Sequence, residues 1–306
     1  MSTHYFRFDA GAAARQRAPL LERLLARANP VAAAPDWRVD AFRVLAPDAA
    51  APGIGAAALF AEQGPMAGAA TVFIATPVHY IAEMSAVRLA AQGVLRLEQP
   101  ESAALAADFN HVWRGSGIRL HAGRDAVLFC IVDAAVEART RDPEDVLDRY
   151  IADYLPSGAG AARLKQLMSE IELWLFEHAV NRDRVAHAAP TLSGLWLWGG
   201  GRALNALPQL NGWTAGEDLY FNAFAAAWGS GGALESDSAV VVIGAAPGTP
   251  GWLEAESRWV GRSAGALRAG RIAQMEFSAG DRRFSVSARG SRRFWRRSRP
   301  WWEYFA

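Results

Sequence analysis

Between Glu170 and Gly201 the sequence gathers residue types that could do chemistry: Glu170, Glu177, His178 and Asn181, then Gly199, Gly200, Gly201 and Arg202. A carboxylate or an imidazole can serve as a metal ligand or as an acid or base. Glycines let backbone N–H groups close on a phosphate or carboxylate, whose charge an arginine can then match. Glu170 and Glu177 are separated by about 10 Å along a helix rising 1.5 Å per residue, too far to share one metal ion without ligands from another element. Glu177 and His178 are neighbours and diverge by about 100° on an ideal helix. Glu170, Glu177 and His178 are therefore candidate catalytic groups, and no complete catalytic set assembles around them.

These residues need a helix, a loop and a strand to position them. Leu164, Leu167, Met168, Ile171, Trp174 and Leu175 recur at helical spacing from Ala162 onward. Trp174 and Glu177 fall on the side of Glu170, with Asn181 one turn further if the helix lasts that long. Leu195-Trp196-Leu197-Trp198 is apolar on both faces, the pattern of a central strand in an α/β sheet. Its carboxyl end runs into the glycines, and open α/β sheets bind ligands at that end. A tight exit from the sheet is the competing reading of the same glycines. The short run Val72-Phe73-Ile74 is stopped by Pro77, which puts His79 just past a strand end, facing a cleft or bonded to the turn backbone.

Around this centre, residues 12–28 read as a surface helix, and Pro47 to Gly68 as a loop rich in Ala, Gly and Pro. A helix opens at Pro100-Glu101, and Ile118–His121 with Ala126–Val132 form a hairpin. Asn211-Gly212-Trp213 is a turn, Leu219 to Trp228 a helix and Val240–Ile243 a second buried strand, whose following loop, Gly244 to Pro250, could share the ligand crevice. A helix around Trp252 to Val260 and a hairpin turning at Gly280-Asp281 close the fold. The expected class is α/β: a mixed, mostly buried sheet flanked by helices, with a C-terminal β-hairpin and a basic, aromatic tail. One compact unit, 1–306, is expected, or two lobes, 1–139 and 140–306, parted in the charged run Glu137 to Asp148.

Composition removes several function classes. With 306 residues, 51% of them apolar and 21% charged, the chain can bury a large core. Lys165 is the only lysine, so the Gly-Lys pair of a Walker phosphate loop is missing. Cys130, the single cysteine, lies in an apolar run, so neither an intrachain disulfide nor a thiolate zinc site can form. No run of 18 or more apolar residues occurs and the N-terminus lacks a signal pattern, so a cytoplasmic protein without membrane contact is expected. The tail interleaves Arg292, Arg293, Arg296 and Arg297 with Trp295, a combination that single-stranded nucleic acid or another anion could exploit. A net charge of +1 argues instead for aromatics packed on the body and solvated arginines, and a protein partner is equally compatible.

The run Ser169-Glu170-Ile171-Glu172-Leu173-Trp174-Leu175-Phe176-Glu177-His178-Ala179-Val180-Asn181, with Leu195-Trp196-Leu197-Trp198-Gly199-Gly200-Gly201, resembles the signature of bacterial RpfE-type regulatory proteins. That family is associated with cofactor-independent phosphoglycerate mutases. Pro77-Val78-His79 and the Arg292 to Arg297 ending resemble further family features, so the resemblance spans about residues 70–299. It implies roles for Glu170, His178, Asn181 and the three glycines. Ser169, Glu172, Phe176 and Ala179 depart from the pattern, Phe176 standing where a second histidine is expected. Mutases of that superfamily hold two metal ions with several aspartates and histidines. The six histidines here stand at 4, 79, 111, 121, 178 and 187, none beyond, which leaves no route to such a site.

Three readings follow. The first is a regulatory protein binding a small phosphorylated or carboxylated metabolite through Glu170, His178, Asn181, Gly199 to Arg202 and His79. The second is a metal-dependent phosphoryl-transfer enzyme using a divalent ion, for which no metal ligand set is assigned. The third is an interaction module acting through the arginine and tryptophan tail.

Overall fold

The computed structural model describes residues 2–8, 16–66, 68–228, 238–245, 250–293 and 295–305. The chain divides into two compact units, Met1–Ala51 with Pro208–Ala306, and Pro52–Leu207 inserted between those two segments. The charged run Glu137 to Asp148 thus lies inside the inserted unit rather than between the units.

The outer unit begins with β1 (Thr3–Phe8), α1 (Pro19–Arg27), β2 (Asn29–Val31) and α2 (Trp37–Leu45). The inserted unit runs through α3 (Ile54–Gln63), β3 (Thr71–Ala82), β4 (Val87–Val94), α4 (Gln99–Val112), β5 (Ile118–Ala122), β6 (Leu128–Val132), α5 (Ala161–Phe176), α6 (Ala179–Ala186) and β7 (Gly194–Arg202). The outer unit then resumes with β8 (Gly212–Gly216), α7 (Leu219–Trp228), β9 (Ser238–Ile243), α8 (Pro250–Ala255), α9 (Arg262–Arg268), β10 (Gln274–Ala279), β11 (Arg282–Ser287) and the short α10 (Trp302–Phe305).

In the outer unit the strand order is β2-β11-β10-β1-β9-β8. Strand β1 is parallel to β10 and β9, and β9 is parallel to β8, while β11 runs antiparallel to β10 and β2. The pleat sends Phe6 and Phe8 to one face, where they join Leu21 and Leu25 of α1, Trp252 of α8 and Leu267 of α9. On the opposite face α2 and α7 pack Phe42 against Tyr220 and Phe224. Helices on both faces of a mainly parallel sheet make this the doubly wound arrangement. A turn was expected at Asn211-Gly212-Trp213, but β8 starts at Gly212. A Cβ on Gly212 would stand 2.2 Å from the Ser238 carbonyl oxygen, so only glycine allows the approach to β9. Residues 246–249 of the expected loop after β9 lie outside the described residues.

In the inserted unit the sheet runs β4-β3-β6-β5, with β7 also on β3, and every pair is antiparallel. Two expectations are corrected here. Pro77 does not stop β3, because it falls where pairing with β6 has ended at Ile74 and pairing with β4 begins at Val78. A residue without an N–H costs little in that gap. Strand β7 is not a central strand of a parallel sheet: among the described residues it pairs only with β3, and its apolar faces are covered by α5 and α3.

The stretch Pro47 to Gly68 holds a helix, α3, rather than a loop alone. Its small residues serve close packing, since a Cβ at Gly55 would lie 2.7 Å from the Val72 carbonyl oxygen of β3. Cys130 is buried in β6, and burial pushes its thiol up to about 12, which keeps it protonated and unreactive. Among the described residues no helix is long and apolar enough to cross a membrane.

Candidate ligand groove

The helix carrying the signature breaks in two. Apolar spacing sustains α5 as far as Phe176, Glu177 ends it, and His178 adopts an extended conformation and caps α6. The His178 Nδ1 accepts a hydrogen bond from the Val180 N–H at 3.2 Å, which assigns the remaining ring proton to Nε2 in the neutral form. That Nε2 lies 3.3 Å from Asp108 Oδ2 of α4, and the ring packs edge-on to Trp174 with centroids 4.6 Å apart. Both nitrogens are thus engaged.

Asn181, expected one turn further along the same helix, is instead buried in the first turn of α6. Its Nδ2 donates to the Leu175 and Leu192 carbonyls at 2.8 and 2.9 Å, and its Oδ1 accepts from the Leu192 N–H at 2.7 Å. It clamps the end of α5 to the segment entering β7. Glu170 is exposed and accepts from Gln166 of the same helix. Glu177 is exposed, its carbonyl accepting from Arg182 and its N–H donating to the Leu175 carbonyl. The structure therefore does not bring Glu170, Glu177, His178 and Asn181 into one constellation.

Nor do the glycines form a loop beyond the strand. Strand β7 continues through Gly199, Gly200 and Gly201 to Arg202, in register with Thr71 and Val72 of β3. A Cβ at Gly200 would sit 2.2 Å from the Phe73 ring, and one at Gly201 2.5 Å from the Gly53 Cα. The Gly199 N–H donates to Thr140 Oγ1 at 3.1 Å, at a φ of +62° that favours glycine. Close approach of the start of α3 at Gly199 and Gly201, and of the Phe73 ring of β3 at Gly200, explains all three. Arg202 is exposed at the end of the strand. His79 lies within β3, not past its end, and its Nδ1 donates to the Thr191 carbonyl at 2.9 Å.

What the fold does assemble is a groove of 590 Å³ between α4 and α6. Pro100, Ala104, Leu105, Ala179, Val180 and Ala189 give it apolar walls. Its charged lining is acidic, with Glu98, Glu101, Asp108 and Asp183 against the single arginine Arg184. Arg184 donates to Glu101 Oε1 at 2.7 Å and to the Pro190 carbonyl at 2.7 Å, so its charge is already matched. Glu101 also reaches back to the Glu98 N–H at 3.4 Å, the reciprocal arm of a capping box at the start of α4. His187 Nδ1 bonds to the Asp183 carbonyl at 2.7 Å and must donate there, which in the neutral form leaves the lone pair on Nε2. The groove thus offers acceptors, and its evident donors are spent. Of its polar residues only His178 was a sequence candidate. Glu101, Asp108, Asp183, Arg184 and His187 come from two helices far apart in the chain and carry no motif.

Among the described residues, no group of three or more His, Cys, Asp or Glu side chains is placed to hold a metal ion. At the carboxyl end of the parallel strand β8, Asp218 caps α7 by accepting from the Tyr220 and Phe221 N–H groups and pairs with Arg38 at 2.9 Å. Its carboxylate is therefore committed.

The fold and groove define a two-unit α/β protein with an acidic, acceptor-rich cleft in its inserted unit. No family model matches the chain. A stretch of 61 residues is 38% identical to a probable 2,3-bisphosphoglycerate-independent phosphoglycerate mutase of Geobacter sulfurreducens, covering 20% of this chain and 15% of that one. Another comparison aligns 87 residues at 32% identity with the 2,3-bisphosphoglycerate-independent phosphoglycerate mutase of Methanothrix thermoacetophila, covering 28% of this chain and 22% of that one. The matches thus span less than a quarter of either relative and amount to distant similarity to these mutases. Among solved structures, the cofactor-independent phosphoglycerate mutase from Thermoplasma acidophilum aligns with a TM-score of 0.38 and 14% identity over 94% of this chain and 89% of that one. The PH0037 protein from Pyrococcus horikoshii aligns with a TM-score of 0.45 and 12% identity over 94% and 87%.

Proposed function

We propose that this protein is a mutase-related binding protein whose inserted unit takes a small metabolite with a cationic group, an amine or guanidinium, in the α4–α6 groove. The observation that supports it is the donor and acceptor balance. Four carboxylates and the His187 Nε2 lone pair face the groove, while Arg184 is consumed by Glu101 and Pro190. A phosphorylated or carboxylated metabolite, the ligand expected from the glycines, would meet like charge there. A regulatory role of the RpfE type, in the cytoplasm, belongs to the same reading and rests on the motif resemblance at residues 169–181 and 195–201.

The test is thermal denaturation with spermidine, agmatine and 3-phosphoglycerate as probes. A ligand that binds only the folded state raises the midpoint. The amines are expected to raise it in the wild type and much less in Asp183→Asn, which keeps the shape and removes a charge. A shift by 3-phosphoglycerate without one by the amines overturns the reading.

Metal-dependent phosphoryl transfer is the second reading, supported by the two stretches similar to phosphoglycerate mutases. The described residues do not fit a two-metal site. Conversion of 3- to 2-phosphoglycerate, assayed with and without manganese, decides it.

A further inference from the structure

In the tail, Arg293 donates to Asn29 Oδ1 at 2.9 Å and Arg296 to the Ala28 carbonyl at 3.0 Å, which fastens both beside the end of α1, while Arg292 and Arg297 are exposed. Charge is arranged more sharply in the α4–α6 groove, where two contacts fix how the helices lie. Arg184 of α6 meets Glu101 near the start of α4, and His178, at the start of α6, meets Asp108 further along α4. The two helices are therefore antiparallel. Seven residues separate Glu101 from Asp108 and six separate His178 from Arg184. At 1.5 Å of rise per residue, either helix puts the two contacts about 10 Å apart.

The groove keeps negative charge at both places. Glu101 and Arg184 match each other, but Glu98 and Asp183 stand beside them, and neither is ion-paired among the described residues. At the other end, neutral His178 donates its Nε2–H to Asp108 without cancelling the carboxylate charge. Between the two ends the lining turns apolar. Leu105 falls between Glu101 and Asp108 on α4, and Val180 between His178 and Asp183 on α6.

Building on the cationic-ligand reading of this groove, we propose that its ligand is a linear aliphatic diamine held by both ends at once. One ammonium lies at Glu98 and Asp183 and the other at Asp108, with the methylene chain against Leu105 and Val180. Once one end is bound, the chain holds the second ammonium close to its carboxylate, so the second contact adds affinity without a second encounter. A single cation leaves one end unmatched. A chain much shorter than the spacing cannot reach both.

The experiment is isothermal titration calorimetry of the full chain at low salt with three probes. Diaminooctane has extended nitrogens that match the spacing, putrescine is too short, and octylamine has the same chain with one charge. Diaminooctane is expected to bind about fivefold more tightly than either of the others, the size of one partly screened ion pair. Asp108→Asn keeps the shape of the wall. It is expected to bring the affinity for diaminooctane down to that for octylamine, while octylamine, seated at the end with two carboxylates, changes less than about twofold. Octylamine or putrescine binding wild type as tightly as diaminooctane overturns the two-ended hold and leaves the single-cation reading of the groove standing. An Asp108→Asn protein that keeps the wild-type affinity for diaminooctane does the same. Folded wild-type protein that binds none of the three overturns both.

Discussion

His178 Nε2 lies 3.3 Å from Asp108 Oδ2, and this contact ties the first turn of α6 to α4 across one wall of the groove. Its two ends differ in environment: the His178 side chain is 10% exposed and that of Asp108 62%. The cap at Nδ1 therefore carries most of the stabilisation, while the ion-pair side is screened by water. His178→Ala is expected to cost about 1 kcal/mol of unfolding free energy. Asp108→Ala should stay within about 0.5 kcal/mol of wild type. Urea denaturation of both variants checks this, and a larger loss from Asp108 than from His178 reverses the assignment.

Asn181 was expected to touch a ligand, and its three short hydrogen bonds give it a different task. Asn181→Ala leaves the Leu192 N–H and the Leu192 carbonyl without this partner in a buried site and takes one donor from the Leu175 carbonyl, which keeps the His178 N–H. A loss of about 2–4 kcal/mol is expected, at the upper end of single-residue effects. The denaturation midpoint should fall while ligand affinity of the remaining folded protein is unchanged. A stable variant with weakened ligand binding would return Asn181 to the ligand.

The elements with strong periodicity were legible in the sequence: α4, α5, α7, the β5–β6 and β10–β11 hairpins, and β9 all appear close to where spacing put them. What escaped was set by contacts rather than by local pattern. Helix α3 looks like a loop because Gly55 and its alanines are chosen for contact with β3, and such residues carry no amphipathic signal. The glycines of β7 and Gly212 look like turn residues for the same reason, being places where another backbone or ring comes too near for a Cβ. Strand β1, central to the outer sheet, escapes the pattern because Thr3, His4, Tyr5 and Phe6 are all buried and leave no apolar-polar alternation, although Thr3-His4-Tyr5-Phe6-Arg7-Phe8 is β-prone. The groove was least visible, since Glu101 and Arg184 meet only because α4 and α6 are brought together.

Gly200 separates the packing account of the glycines from an anion-binding one. A Cβ there would stand 2.2 Å from Cε1 of Phe73, a ring buried in β3. Gly200→Ala is expected to destabilise by about 1–3 kcal/mol, the usual cost of overpacking a core. Adding Phe73→Leu should recover part of that loss, because it removes the atoms in conflict. Thermal midpoints of the single and double variants read the coupling directly. Strict additivity of the two changes would mean that the ring is not what excludes the side chain.

Glu172 and Tyr80 meet beside Gly194, where an added Cβ would lie 3.2 Å from the Glu172 Cγ and 3.4 Å from the Tyr80 ring. Burial raises the Glu172 carboxyl above its ordinary range, and burial first, then the nearby Glu172 charge, holds the Tyr80 phenol well above its own. The Tyr80 hydroxyl has no hydrogen-bond partner among the described residues, so nothing there rewards ionisation of Glu172. A carboxyl whose folded pKa exceeds its unfolded value, about 4.3, favours folding fully below that unfolded value. The contribution is lost as pH rises through the folded value, because the unfolded chain releases its proton first. Glu172→Gln cannot ionise and should escape that loss. Its stability relative to wild type is therefore expected to grow from pH 4 to pH 7, measured as urea midpoints at each pH. A wild type that instead gains on the variant as pH rises would show the carboxylate to be favourably held in the fold, contrary to the burial seen here.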